Sequence, residues 1–354
     1  MLPEQRKLIT QNQKVLYSFR KKGANLPKRE LVTLAKTVGI SFQTLKNPLM
    51  DLQRNNIILD YKDFLINPQF AYFVGFYVTD DEIEVELLDF SLEPALEKVM
   101  PNFVRKIKYK SDFEAIKLME NIINDISKNV KVEATAIIFN KFFNYQTGFA
   151  YSENGSGLEI YDLSVTLKNS KAILPPALHN VFVGDTVLAY TLYLREKVFE
   201  SQSIVYYDLD QNAVCYIMNN ILQKSTNPVS GMIFPRFTHE QSEFFEKLKN
   251  VSDDSYADMI NSNINKFDFI LPAYLQLKSI FNPEHFVFGG KILRPPLLEL
   301  ISKNIFSNYN GITSTLFVES SYSQIFDIVN MGVHFSRGAG IFATYSFFDW
   351  DLRW

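Results

Sequence analysis

Hydrophobic positions recur with two different periods along this chain, and the change of period divides it. Over residues 5–22 (QRKLITQNQKVLYSFRKK), Leu8, Ile9, Val15, Leu16 and Phe19 share one helical face, with Lys and Arg opposite. Gly23, Ala24 and Asn25 break that helix. Pro27 then suits a first helical turn, and Leu31, Leu34, Ala35 and Val38 form a second apolar stripe. Gly39 closes it, because glycine takes a positive φ without steric cost. Ser41 is a good N-cap for a third helix with Leu45, Leu49 and Leu52 facing inward. Asn55-Asn56 turns the chain into residues 57–62, one strand of a small wing. Helix, glycine-containing turn, helix is the helix-turn-helix arrangement, whose second helix enters the major groove of DNA.

Beyond residue 66 the pattern alternates between strand and helix. Residues 71–90 (AYFVGFYVTDDEIEVELLDF) read as an apolar strand, a turn at Thr79-Asp80-Asp81, and strict alternation from Glu82 to Leu87. Such alternation predicts a half-buried antiparallel strand. FEAIKLMENIINDI, DTVLAYTLYLRE and ADMINSNINKFDFILPAYLQLKSIF read as helices; VEATAIIF, SIVYYDLD, AVCYIMNN and HFVFGG read as strands. Mixed strands with helices between them imply an α/β body in two lobes. The expected division is 1–66, 67–178 and 179–354, the last including a C-terminal helix.

Charge sharpens this division. Residues 1–60 hold 11 Lys and Arg against 4 Asp and Glu, a balance of +7, while the remaining 25 basic and 35 acidic residues give −10, for a net −3. A basic segment on an acidic body points to a nucleic-acid module joined to a part that does not touch phosphate. The groove-facing residues of the third helix would be Ser41, Phe42, Gln43, Thr44, Lys46 and Asn47. Gln and Asn pair with adenine, and Lys46 reaches phosphate or guanine. Lys28 and Arg29, at the start of the second helix, suit phosphate contacts that set register. Pro48 stands against an ordinary recognition helix, because it removes the hydrogen bond to the Thr44 carbonyl. Either the helix kinks there or the three leucines hold it.

Other classes are excluded or weakened by composition. At 47% hydrophobic and 14% aromatic, the 354 residues can bury full cores. No apolar run is long enough to span a membrane, and the polar N-terminus lacks a signal core, so a cytoplasmic protein is expected. A single cysteine, Cys215, excludes an internal disulfide, and the four histidines show no ligand spacing, so neither a metal nor another cofactor is expected.

The order of segments resembles the ROK family, repressors and sugar kinases of the actin-like ATPase fold, from about residue 5 to the C-terminus. The resemblance lies in LAKTVGIS with the following leucines, INPQFAYFVGFYV…VELLDF, VFVGDTVLAYTLYLRE, FNPEHFVFGGKI and GVHFSRGAGIFA. It implies a winged helix-turn-helix followed by a two-lobed actin-like ATPase fold. Kinases of the family open with an Asp-x-Gly-x-Thr phosphate loop, where this chain has Tyr77, Thr79 and Asp81. The second, normally glycine-rich loop reads Asp208-Leu209-Asp210-Gln211-Asn212, and acidic side chains there repel phosphate. The family's Asn-Asp pair becomes Gly184-Asp185, and its sugar-gripping segment becomes residues 231–235 (GMIFP). Asp185 is then a remnant of the general base, without a phosphate cradle to serve.

The resemblance and the charge pattern together imply a transcriptional regulator, in the first instance a repressor. Its partners would be double-stranded DNA and a second copy or more of itself, with a small-molecule effector of unknown identity allowed but not required. The alternatives are a residual sugar kinase-like phosphotransferase using Asp185, and an interaction protein in which Pro48 has ended DNA recognition.

Overall fold

The computed structural model describes residues 1–13, 15–16, 30–62, 65–79, 81–110, 112–139, 142–144, 149–154, 157–162, 179–183, 192–194, 196, 203–209, 213–218, 221–224, 238–290, 292–301 and 332–348. The chain forms two compact units. The first comprises Met1–Glu196 with Val333–Leu352, the second Lys197–Gly332 with Arg353–Trp354. No helix among the described residues is long and apolar enough to cross a membrane.

Among the described residues the first unit begins with the helices α1 (Pro3–Gln11), α2 (Glu30–Val38) and α3 (Phe42–Arg54). The helix expected over 5–22 breaks at Asn12, the C-cap of α1, and helical backbone resumes at residues 13 and 15–16, while residues 14 and 17–22 lie outside the described residues. The Asn12 side-chain amide donates to the Leu8 carbonyl at 2.9 Å, the local competition that makes asparagine a helix terminator. Two short strands follow α3, β1 (Ile58–Asp60) and β2 (Leu65–Ile66), paired antiparallel.

The sheet of this unit runs β10-β6-β3-β4-β5 among the described residues, built from β3 (Tyr72–Val78), β4 (Glu82–Leu88), β5 (Lys106–Lys108), β6 (Val132–Phe139) and β10 (His179–Val183). β3 pairs antiparallel with β4 and parallel with β6, and β10 extends the parallel half. A separate three-stranded antiparallel sheet joins β7 (Phe142–Asn144), β8 (Phe149–Asn154) and β9 (Gly157–Asp162). Helix α4 (Asp112–Ser127) covers one face of the larger sheet, where Ala115, Met119, Ile122, Ile123 and Ile126 pack on Val74, Phe76, Ile83, Val85 and Leu87.

In the second unit, strands β11 (Ile204–Asp208), β12 (Ala213–Met218), β13 (Ile221–Lys224) and β14 (His285–Gly289) form a sheet in the order β13-β12-β11-β14. Helices α5 (His239–Asn250), α6 (Asp253–Asn261), α7 (Ile270–Phe281) and α8 (Pro295–Leu300) accompany it. The single long helix expected through ADMINSNINKFDFILPAYLQLKSIF is two helices with a 3-10 turn between them. Pro272 falls in the first turn of α7, where its missing N–H costs nothing, and Asn263 spends its side chain on the Met259 carbonyl at 2.9 Å.

The last helix, α9 (Gly332–Phe347), lies with the first unit, as does β10. Both belong by sequence position to the expected third segment, 179–354. β10 adds to the sheet through five parallel pairs with β6, and α9 packs on β3 and β4. Gly75 admits this contact: a Cβ there would collide with the Ser336 carbonyl and the Gly340 N–H.

Glu84 and Glu86 depart most from expectation. The alternation in β4 puts them on what would be the open face of a half-buried strand, yet they are 3% and 0% exposed. Helix α9 seals that face. Ser336 Oγ donates to Glu84 Oε1 at 2.8 Å and Arg337 Nε to Glu86 Oε2 at 3.1 Å, while Arg105 reaches Glu86 at 3.3 Å and Lys106 reaches Glu84 at 3.6 Å. Charged groups survive burial when they are paired in this way.

Candidate nucleic-acid interface

The chain turns from α2 to α3 through a motif that satisfies the helix end. Gly39 takes φ +78°, its N–H donates to the Lys36 carbonyl at 3.1 Å, and the Ile40 N–H donates to the Ala35 carbonyl at 3.0 Å. Ser41 then caps α3 as expected, its hydroxyl accepting the Thr44 N–H at 3.1 Å and lying 2.7 Å from the Thr44 hydroxyl. Helix α3 closes in the same way as α2. Asn56 adopts φ +57°, and Ile57 N–H donates to the Leu52 carbonyl at 2.9 Å. Asn67, from beyond the hairpin, donates to the Asn56 carbonyl at 2.8 Å and so ties β2 back to the end of α3.

Leu45, Leu49 and Leu52 are buried, as their spacing predicts. They also answer the question raised by Pro48. The helix continues through it to Arg54, because Leu45 on one side and Leu49 and Leu52 on the other are anchored in the core.

The opposite face of α3 is open. Ser41, Phe42, Gln43, Thr44, Lys46 and Asn47 are all exposed, and Phe42 shows 46% of its surface. No side-chain hydrogen bond or ion pair engages Gln43, Lys46 or Asn47 among the described residues. The helix therefore presents one apolar ring, a hydroxyl, two amides and an ammonium to the outside. Those groups can donate to and accept from base edges. Lys7, Lys36 and Lys46 are exposed cations of the same module. Lys28 and Arg29 lie outside the described residues, as does Asp185 together with residues 231–235.

At the two positions expected to handle phosphate, the described residues bond within the protein; residue 80 and residues 210–212 lie outside the described residues. At the β3–β4 turn, Thr79 N–H donates to the Glu82 carbonyl at 2.9 Å, and Glu82 N–H donates to Thr79 Oγ1 at 3.1 Å. Tyr109 adds a hydroxyl hydrogen bond to the Thr79 carbonyl. The ring of Tyr77 packs on Phe335 with centroids 4.9 Å apart. In the second unit, Asp208 is buried and accepts the Tyr206 hydroxyl at 3.0 Å. Burial, aided by the Asp208 charge, pushes the neighbouring Tyr207 phenol far up. Among the described residues no group of three or more His, Cys, Asp or Glu side chains stands where it could hold a metal ion.

The buried seam between β4 and α9 escaped the sequence reading, because nothing local marks it. Burial raises the Glu84 carboxyl above its ordinary range, opposed by the Ser336 hydroxyl and Lys106. Glu86 Oε1 is buried with no hydrogen-bond partner. The only signal was the pairing of Ser336-Arg337 with Glu84-x-Glu86, which lie 252 and 251 residues apart.

No protein-family model matches the sequence. No curated protein sequence matches it either. Solved structures do match. A ROK family transcriptional regulator, described as a homologue of the E. coli MLC protein, is 11% identical, with 97% of this chain and 98% of that one aligned and a TM-score of 0.58. A ROK family protein from Streptococcus pneumoniae TIGR4, in complex with sucrose, is 11% identical over 79% of this chain and 100% of that one, with a TM-score of 0.51. At such identities the likeness establishes the fold, which is the ROK arrangement of the actin-like ATPase fold.

Proposed function

We propose that this chain is a sequence-specific DNA-binding transcriptional regulator of ROK type, acting as a repressor, whose body does not transfer phosphate. The observation that carries this reading is the outer face of α3. Its six exposed residues are base- and phosphate-seeking types, held outward by three buried leucines and flanked by a helix end on one side and a two-stranded hairpin on the other. The described elements fit a winged helix-turn-helix with α3 as recognition helix and β1–β2 as wing. The likeness to a ROK transcriptional regulator spans 97% of this chain, the N-terminal module included, and supports the same reading.

In this reading Gln43 and Asn47 read adenine, Phe42 meets a thymine methyl, Lys46 takes phosphate or guanine, and Lys28 and Arg29 hold the backbone. The turn at Thr79 and the internally paired Asp208 favour a body without kinase activity, since backbone N–H groups spent inside a turn are not offered to phosphate. The body then serves to bring two recognition helices together, about one turn of DNA apart.

Fluorescence anisotropy with the duplex upstream of the chain's own gene, titrated over several salt concentrations, tests this. The expected result is steep loss of affinity with salt and preference over a scrambled duplex. Gln43→Ala and Asn47→Ala should each cost about 1–3 kcal/mol of that preference and leave stability within about 0.5 kcal/mol. Absence of salt-dependent binding to any duplex would end the DNA reading.

A further inference from the structure

We propose that the C-terminal end of α9 is the seat that sets the orientation of α3, with α1 as the strut between them and Thr10 and Gln5 as positioning residues. Its consequence for DNA rests on the reading of α3 as a recognition helix; the mechanical claim stands on the contacts alone.

Helix α1 contributes no strand to the sheet and no residue to the outer face of α3. Its polar contacts run instead to two places far apart in the chain. Thr10 Oγ1 shares its one proton between the Phe348 carbonyl at 2.9 Å, across 338 positions of sequence, and the Arg6 carbonyl of its own helix at 3.1 Å, and the Arg6 guanidinium sits 4.6 Å from the centre of the Phe347 ring. Gln5 Nε2 donates to the carbonyl of Asn55, the C-cap of α3, at 3.4 Å, while its Oε1 accepts the Leu2 N–H at 3.2 Å. Ile9 is buried and supplies apolar contact, which has no preferred direction. The hydrogen bonds of Thr10 and Gln5 do have one, so they fix the angle at which the strut lies.

The seat itself is packed into the core. Phe347 and Phe348 are buried and meet Phe73 at 6.2 and 6.0 Å, and Phe348 also meets Phe90 at 5.9 Å. At the other end of α9, Ser336 and Arg337 are clamped to Glu84 and Glu86. That clamp lies one turn after the point, between Gly332 and Val333, where the chain returns from the second unit. The helix that carries both clamp and seat is continuous over its 16 residues, about 24 Å. A shift at the return point therefore reaches α1, and through Gln5 the end of α3, along one rigid path.

The experiment places spin labels at Lys36→Cys in α2 and Lys128→Cys just beyond α4, both exposed, with Cys215 buried and inert to labelling. Electron–electron distance measurement on the full chain should give one narrow distribution. Thr10→Val, which keeps the shape and removes the donor, should lose it for a broad one while costing no more than about 1 kcal/mol in the thermal melt, and Thr10→Ser should restore it. DNA affinity of unlabelled Thr10→Val should fall about fivefold, the loss of one net hydrogen bond, with recovery in Thr10→Ser. A narrow distribution retained in Thr10→Val overturns the strut. If the parent chain binds no duplex, the recognition reading falls while the distance distributions still judge the strut.

Discussion

The outer face of α3 and the α9-facing side of β4 both carry polar side chains at the period of their element, yet one lies in water and the other is sealed. On α3, Gln43, Lys46 and Asn47 project outward because the only covering available to that helix is taken by its leucine face. On β4, Glu84 and Glu86 would project outward as well, but α9 arrives over them from some 250 residues away with Ser336 and Arg337 as partners. The contrast teaches that a polar stripe records which face avoids the local core. It does not record whether another element later covers that face. The exposed stripe is free to meet a ligand; the buried stripe is an internal clamp.

The strongest way to break the comparison is to unseat α9. Gly75→Ala places a methyl group into the backbone of Ser336 and Gly340, and should cost about 3 kcal/mol or more in urea melts of the chain. A smaller loss would mean that α9 moves away readily and that the seam is looser than its contacts suggest. Arg337→Met comes next. It removes one of the two guanidinium groups on a carboxylate that is fully buried, and about 2 kcal/mol is expected because Arg105 remains. On the exposed side, Ser41→Ala removes the cap of α3 and should lower stability by about 1 kcal/mol, read from the same melts.

The smallest effect sharpens the electrostatics of the seam. Burial raises the Glu84 carboxyl in the folded chain above its unfolded value, so the native state binds the proton more tightly. Glu84 therefore favours folding fully below the unfolded carboxylate range, and this contribution is lost as pH rises through the folded value. Glu84→Gln should gain stability relative to the parent as pH rises through that window. A difference that is flat with pH, in paired melts from pH 4 to 8, would contradict the assignment.

Much of the N-terminal module was legible because its signals are local. Gly39 at positive φ, Ser41 as N-cap, the Leu45-Leu49-Leu52 row and the turn at Asn56 each act within five residues of themselves. The strands of the body were legible for the same reason, from apolar runs bounded by turns. One helix was misjudged, where asparagine and proline compete with a continuing apolar pattern ahead of Pro272, and at Asn12 an asparagine interrupts an otherwise helical stretch. Pro48 shows the opposite outcome, since packing on both sides overrode a local breaker.

By itself the sequence determined the spacing of elements, the caps, the basic N-terminal segment and which residues of α3 could face outward. These follow from backbone preferences and hydrophobic period, which operate over one or two turns of chain. Only the tertiary structure decided that Glu84 and Glu86 lie in the interior, that α9 returns to the first unit, and that Thr10 meets the Phe348 carbonyl. Those facts depend on contacts between residues hundreds of positions apart, and such contacts leave no periodic mark on either partner.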